Sequence, residues 1–209
     1  MKLTAFFHIW AGGAWRQPLE EFKSALRESD FHGPVYYCAT GEPDESEWLL
    51  HGVILSSWAR SGFEANTLNH LRHHAERHEG AVLYAHTKGA ADTSEFRARW
   101  RRSMTNRVVR DWRSNLALLK TGDYDVVGCH WLTQEVFGRD MFGPTLPPEG
   151  SGFYGGNFWM ATCDYIRRLP PCPDEPRFEA ERWIGLDCPR AVDLLPGWPG
   201  DERWPELCT

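Results

Sequence analysis

No stretch of this 209-residue sequence approaches the roughly 18–20 apolar residues that a membrane-crossing helix needs, so insertion into a bilayer is not expected. Cationic excess is missing too. Lys and Arg number 23 against 29 Asp and Glu, and the net charge of −6 argues against a general nucleic-acid binder. The six cysteines (Cys38, Cys129, Cys163, Cys172, Cys188 and Cys208) form no C-x-x-C pair, which excludes a zinc knuckle and a regular disulfide framework. The opening Met1–Phe7 runs into a polar His8 without a small-residue cleavage site, so it reads as a first core strand and not a signal peptide. Reduced thiols in the cytoplasm are the expectation. There is no G-x-S-x-G, P-loop or G-x-G-x-x-G, which removes support for serine-hydrolase, P-loop and standard dinucleotide readings.

What remains is a folded chain, 42% hydrophobic and 25% charged, of a length that suits one domain over 1–209. Its unusual feature is eleven Trp, beside fourteen Pro and nineteen Gly. Tryptophan joins a large apolar area to a polar N–H, and so many suggest a partly aromatic cleft.

Apolar periodicity predicts a buried strand at Leu3–Trp10, a glycine loop, a helix from about Pro18 to Ser29 and a strand at Val35–Ala39. That is a parallel βαβ opening. An acidic loop follows at Gly41–Glu47, and Val53–Trp58 fits either strand or helix. Further expectations are a helix at Asn66–Glu79, a strand at Ala81–Ala85, one long helix at Phe96–Leu119 and a strand at Tyr124–Cys129. Gly138–Gly156 reads as a long loop, Asn157–Leu169 as an apolar start ending in a helix, and Phe178–Ile184 as a short helix. The Pro- and Trp-rich tail from about 189 reads as a surface wrap. The fold class is α/β, with a mostly parallel central sheet flanked by helices.

Five groups of residues could carry chemistry. His86-Thr87-Lys88-Gly89 follows an apolar strand, where ligands of open α/β sheets sit; Lys88 can neutralise phosphate and Gly89 lets the backbone approach. A plain turn fits the same residues. Asp123-Tyr124-Asp125 has the carboxylate spacing of a metal–diphosphate site, yet it precedes its strand and lies at the wrong sheet edge, so a structural role is expected. Gly155-Gly156-Asn157-Phe158-Trp159 suits a ring-shaped ligand, since Asn bonds hydroxyls and Trp stacks on a sugar; a turn into a buried helix fits equally. Glu179 and Glu181 flank a helical segment next to Trp183, where a shielded carboxylate serves as a general base and an exposed one as a salt-bridge partner. His70, His74 and His78 share one helical face with His73 nearby, but the flanking Arg72 and Arg77 mark it as solvated surface.

In order along the chain, Glu64-x-Asn66-Thr67-Leu68, Val82-Leu83-Tyr84-x-His86-Thr87-Lys88-Gly89, Trp100 with Met104, Tyr124-Asp125-Val126-Val127-Gly128, Gly156-Asn157-Phe158-Trp159 and Glu181-x-Trp183-Ile184 resemble a set of bacterial and viral proteins related to GT-A-fold glycosyltransferases. The resemblance spans roughly Phe6 to Ile184. It implies a single GT-A-like (Rossmann-like) domain that transfers a sugar from a nucleotide-diphosphate-sugar donor to a small molecule, glycan or peptide. His8, Trp10, Asn66, His86, Thr87, Lys88 and Gly89 would bind the donor, Gly156, Asn157, Phe158 and Trp159 the sugar or acceptor, and Glu181 would be the catalytic base. His-Thr-Lys-Gly stands where the family's metal-binding Asp-x-Asp is usual, so no metal ligands are expected and Lys88 would offset the leaving-group charge. Two other readings use the same residues: an inactive nucleotide-sugar- or sugar-binding module, and, more remotely, a metal-dependent hydrolase on the histidine face.

Overall fold

The computed structural model describes residues 1–42, 48, 50–92, 94–133, 151–175 and 178–196. Residues 138–150 of the loop expected at 138–156, most of the acidic loop (residues 43–47), Cys208 and the tail from 197 lie outside these residues.

The centre is β1 (Leu3–Trp10), buried from Leu3 to Ile9. A strand covered on both faces reads as an unbroken apolar run. Its two-residue period sends Leu3, Ala5, Phe7 and Ile9 into one core and Phe6 into the other. Next, α1 (Arg16–Glu28) buries Pro18, Leu19, Phe22, Ala25 and Leu26 on one stripe. It stops in a Schellman motif: Asp30 takes φ +55, its N–H donates to Arg27 O, and Phe31 N–H donates to Leu26 O. Then β2 (Val35–Thr40) pairs parallel with β1, completing the expected βαβ unit.

The segment open to either reading forms a strand, β3 (Leu55–Ala59), followed by α2 (Ala65–Arg77) with Leu68 and Leu71 fully buried. After β4 (Ala81–His86) the expected single helix is instead broken. It runs as α3 (Glu95–Met104), a π-helical turn (Thr105–Arg110) and α4 (Trp112–Lys120). The wider turn lets the consecutive Val108 and Val109 both reach the core. Asn115 Nδ2 caps the freed carbonyl of Arg107 at 2.7 Å.

Beyond β5 (Val126–Gly128) the structure corrects two expectations, the end of the long loop and the tail, and shows the apolar start of Asn157–Leu169 to be a strand. β6 (Trp131–Thr133) and β7 (Gly152–Tyr154) pair antiparallel, so the end of the expected long loop is a strand. β8 (Trp159–Thr162) is a strand ahead of α5 (Cys163–Arg168), and α6 (Phe178–Arg182) passes into a 3-10 turn at Trp183–Gly185. The tail is not all surface wrap either, because Ala191–Asp193 forms β9. Backbone pairing decides these short strands, and three or four residues carry too little periodicity to show it.

The seven-stranded sheet has the order β3-β2-β1-β4-β8-β5-β9. Only β8 runs against its neighbours. This is a mixed α/β fold with a mostly parallel sheet between helices. α1 and the α3–α4 stretch cover one face; α2 and α5 cover the other. Among the described residues no helix is long and apolar enough to cross a membrane.

The histidine face differs from its expected solvated state. His70 and His74 are half-buried, with ring centroids 5.4–5.9 Å from Phe6 and Tyr36. Burial lowers both pKa values, that of His74 to about 4. They are packing groups.

Candidate active site

The strands β1 to β4 run parallel, so their carboxyl ends (Trp10, Thr40, Ala59 and His86) share one edge of the sheet. The N-terminus of α2 follows β3 and reaches the same edge. This is where an open α/β sheet receives ligands.

Strand alternation places His8 and His86, which are register partners, on the α2 face with Phe6 and Tyr84. Both are buried. His8 Nδ1 meets Thr67 Oγ1 at 2.8 Å, and burial pushes the His8 pKa down to about 4, against the pull of the Glu64 charge. His86 Nε2–H donates to Gly156 O at 2.8 Å, while its Nδ1 faces Glu64 Oε1 at 3.5 Å. Glu64 Oε2 accepts from Tyr84 OH and Asn157 Nδ2, each at 2.7 Å. Because that oxygen already takes two donors, the Glu64–His86 contact lies between Oε1 and Nδ1. A buried carboxylate is tolerated here because its oxygens meet partners.

Past His86 the chain turns tightly. Lys88 N–H donates to His86 O, and Gly89 takes φ +81, a left-handed conformation that glycine adopts without strain. Neighbours fix this loop from three sides. Trp10 N–H donates to Thr87 Oγ1 at 2.9 Å, Ala14 N–H to Ala90 O at 2.9 Å, and Arg101 Nη1 to Lys88 O at 2.9 Å. Arg101 is itself buried and held by Glu21 of α1 in a bidentate pair at 2.7 and 3.0 Å. Gly13 is required on packing grounds, since a Cβ there would fall on the Ala90 carbonyl and the Trp10 ring.

The Lys88 ammonium lies 4.5 Å from the centroid of the Trp100 ring and 3.8 Å from Glu181 Oε1. Arg97 also approaches Trp100, at 5.1 Å. Both ends of the Lys88–Glu181 pair are mostly shielded, with side chains 12% and 15% exposed. On the same short helix Glu179 pairs with Arg182, so the two glutamates do diverge. Trp183 is fully buried and donates its indole N–H to Pro170 O at 2.8 Å.

The structure therefore brings His8, His86, Thr87, Lys88, Gly89 and Glu181 together at one edge, with Trp10 half-buried beside them. Asn66 stands in the first turn of α2, where Nδ2 donates to Ala39 O at 3.4 Å and Oδ1 accepts from Ser57 Oγ at 2.8 Å. The second group departs from expectation. Asn157 and Trp159 are fully buried and Phe158 nearly so; Trp159 Nε1 donates to Asn157 Oδ1 at 2.7 Å, and Asn157 takes φ +57. Their polar groups are committed inside the protein, so as placed they support His86 and Glu64 and do not face a sugar. Gly156 lies under Met104, whose sulfur would be 2.6 Å from a Cβ.

Motif reading gave Glu64 no role and passed over Glu21 and Arg101. Four arginines lie between 97 and 102, and the sole sign that Arg101 differs is its three-residue step from Ala98 and to Met104, both core-facing. The strand-end donor set does not fit a divalent cation. It offers the Lys88 ammonium with Glu181 paired to it, a His8 bonded to Thr67, a His86 whose Nε2 donates to a carbonyl, and a Glu64 carboxylate already bonded to Tyr84 and Asn157. Among the described residues no group of three His, Cys, Asp or Glu side chains is arranged to hold a metal ion. Asp125 sits at the opposite edge and accepts from Arg190 Nε, Nη2 and backbone N–H at 2.9–3.0 Å, which holds its carboxyl below the usual range.

A family model described as "Domain of unknown function (DUF8361)" matches residues 15–184. No curated protein matches the sequence. Among solved structures, S. aureus TarS 1–349 is similar at 13% identity and a TM-score of 0.50, over 91% of this chain and 57% of that one. The mannosyltransferase PcManGT from Pyrobaculum calidifontis, solved with GDP-Man and Mn2+, matches at 12% identity and a TM-score of 0.48, over 92% and 54%. The chain thus spans a little over half the length of either structure.

Proposed function

The chain belongs to the DUF8361 family, and we propose that it is a glycosyltransferase that moves a sugar from a nucleoside-diphosphate-sugar donor to a hydroxyl acceptor. The observation that carries this reading is the meeting of Lys88 and Glu181 at the carboxyl edge of a glycosyltransferase-like sheet, 3.8 Å apart. Sugar transfer needs a cation at the departing diphosphate and a base at the attacking hydroxyl. Lys88, on a loop fixed by Thr87, Gly89 and Arg101, supplies the first, and Arg97 adds charge nearby. Glu181 supplies the second. The acceptor oxygen bonds to the anomeric carbon, the electron pair of the broken C–O bond leaves on the diphosphate, and the hydroxyl proton passes to Glu181. Trp10 and Asn66 border the nucleoside side, His8 and His86 underlie the loop, and the buried Gly156–Trp159 segment backs His86 and Glu64 from inside the protein. No step uses a metal.

A thermal-shift screen against UDP-, GDP-, dTDP- and CDP-sugars, with and without Mn²⁺, tests the reading. At least one donor raises the Tm by mass action without Mn²⁺, and Lys88→Ala removes the shift while Lys88→Arg keeps part of it. Silence across the whole panel overturns the proposal. A donor that binds but is never transferred or hydrolysed points to the binding-module reading.

A further inference from the structure

The backbone around Lys88 is bonded to β1, to the loop before α1 and to α3, and its ammonium lies over the Trp100 face at 4.5 Å and 3.8 Å from Glu181 Oε1. That ion pair is longer than the roughly 2.7–2.9 Å of a tight charge-assisted hydrogen bond. With 12% and 15% of the side chains exposed, the pair remains within reach of a solute. Resting on the reading above, we propose that Lys88 is a shared cation, and that an incoming diphosphate takes it over from Glu181 and so releases the carboxylate to act as base.

The physical argument is competition. Without an anion, Glu181 is held beside the Lys88 ammonium at 3.8 Å and is not turned toward an acceptor hydroxyl. A diphosphate carries more charge than one carboxylate and outcompetes it for the ammonium. Two anions cannot both stay close to one cation in a shielded site without repelling each other. Glu181 therefore leaves Lys88 as the donor arrives, and the base becomes available when there is a sugar to transfer. Linkage makes the effect reciprocal: whatever Glu181 gains from Lys88, it subtracts from anion affinity.

Neutralising a base that touched only the acceptor would leave donor affinity alone; neutralising one that shares the donor's cation raises it. The experiment is calorimetric titration of UDP and of GDP into wild type, Glu181→Gln, Lys88→Met and the double variant at low salt. The expected result is a three- to tenfold tighter Kd for Glu181→Gln, a weaker Kd for Lys88→Met, and no gain from Glu181→Gln in the Lys88→Met background. Glu181→Asp keeps the negative charge and gains less than half as much; Glu181→Ala replaces the Gln variant should that one fail to fold. Unchanged or weaker binding by Glu181→Gln, alongside weaker binding by Lys88→Met, overturns the shared cation and leaves the diphosphate site standing. If neither nucleotide binds wild type, or Lys88→Met binds as well as wild type, the diphosphate site falls and this proposal with it.

Discussion

Asn157 Nδ2 donates to Glu64 Oε2 over 2.7 Å, tying the turn before β8 to the start of α2 directly beneath His86. The same oxygen accepts from Tyr84, so one buried carboxylate gathers three elements of the fold.

That bond predicts an asymmetry between two near-isosteric changes. Asn157→Asp sets a second carboxylate against Glu64 and is expected to cost about 3–5 kcal/mol, because it leaves like charges buried. Glu64→Gln keeps the shape but turns an acceptor pair into a mixed group, at about 1–3 kcal/mol. Urea unfolding measures both; equal costs would show that the Glu64 charge does not organise the network.

Arg101 holds the Lys88 carbonyl and Glu21 with one guanidinium. Lysine cannot make that fork. Arg101→Lys should lose about 2–3 kcal/mol of stability and also weaken nucleoside-diphosphate binding, whereas Arg102→Lys, whose partner Glu95 is exposed, should change neither. Parallel melts and titrations decide it.

His8 sets a pH dependence. In the unfolded chain it takes up a proton near its ordinary 6.5, but the folded protein resists until about 4. Stability is therefore full above pH 6.5 and declines as pH falls toward 4, by roughly 3 kcal/mol for this residue. The half-buried His74 acts in the same window. Melting curves from pH 7 to 4.5 should show the decline, and His8→Gln should make it shallower. A flat profile in wild type would contradict the burial argument.

Asp125 and Asp123 separate a structural aspartate from a bystander. Asp125→Ala removes three bonds to Arg190 that tie β5 to β9, at an expected cost of about 1–3 kcal/mol. Asp123→Ala, at an exposed position, should stay within about 0.5 kcal/mol. Denaturant midpoints give the comparison.

Long, strongly patterned segments were legible without coordinates. Leu3–Trp10 is apolar throughout because both its faces are covered, and the Leu19, Phe22 and Leu26 spacing marks α1 as one-sided. From those two signals the parallel opening follows, and with it the edge at which His86 and Lys88 emerge. Short strands were not legible: Trp159–Thr162 looks like the start of a helix until pairing with Tyr84 and Val127 on either side makes it a strand.

The chemistry available at the strand end, a lysine after an apolar strand and a glutamate on a late short helix, is legible in the residue order because residue type and strand position are local properties. Packing of the elements is what sets Lys88 and Glu181 3.8 Å apart, makes Glu64 a buried organiser and turns Asn157 and Trp159 inward. Those facts depend on which elements pack together. A residue's partners across the fold are set by strand order and helix docking, and no spacing along the chain encodes them.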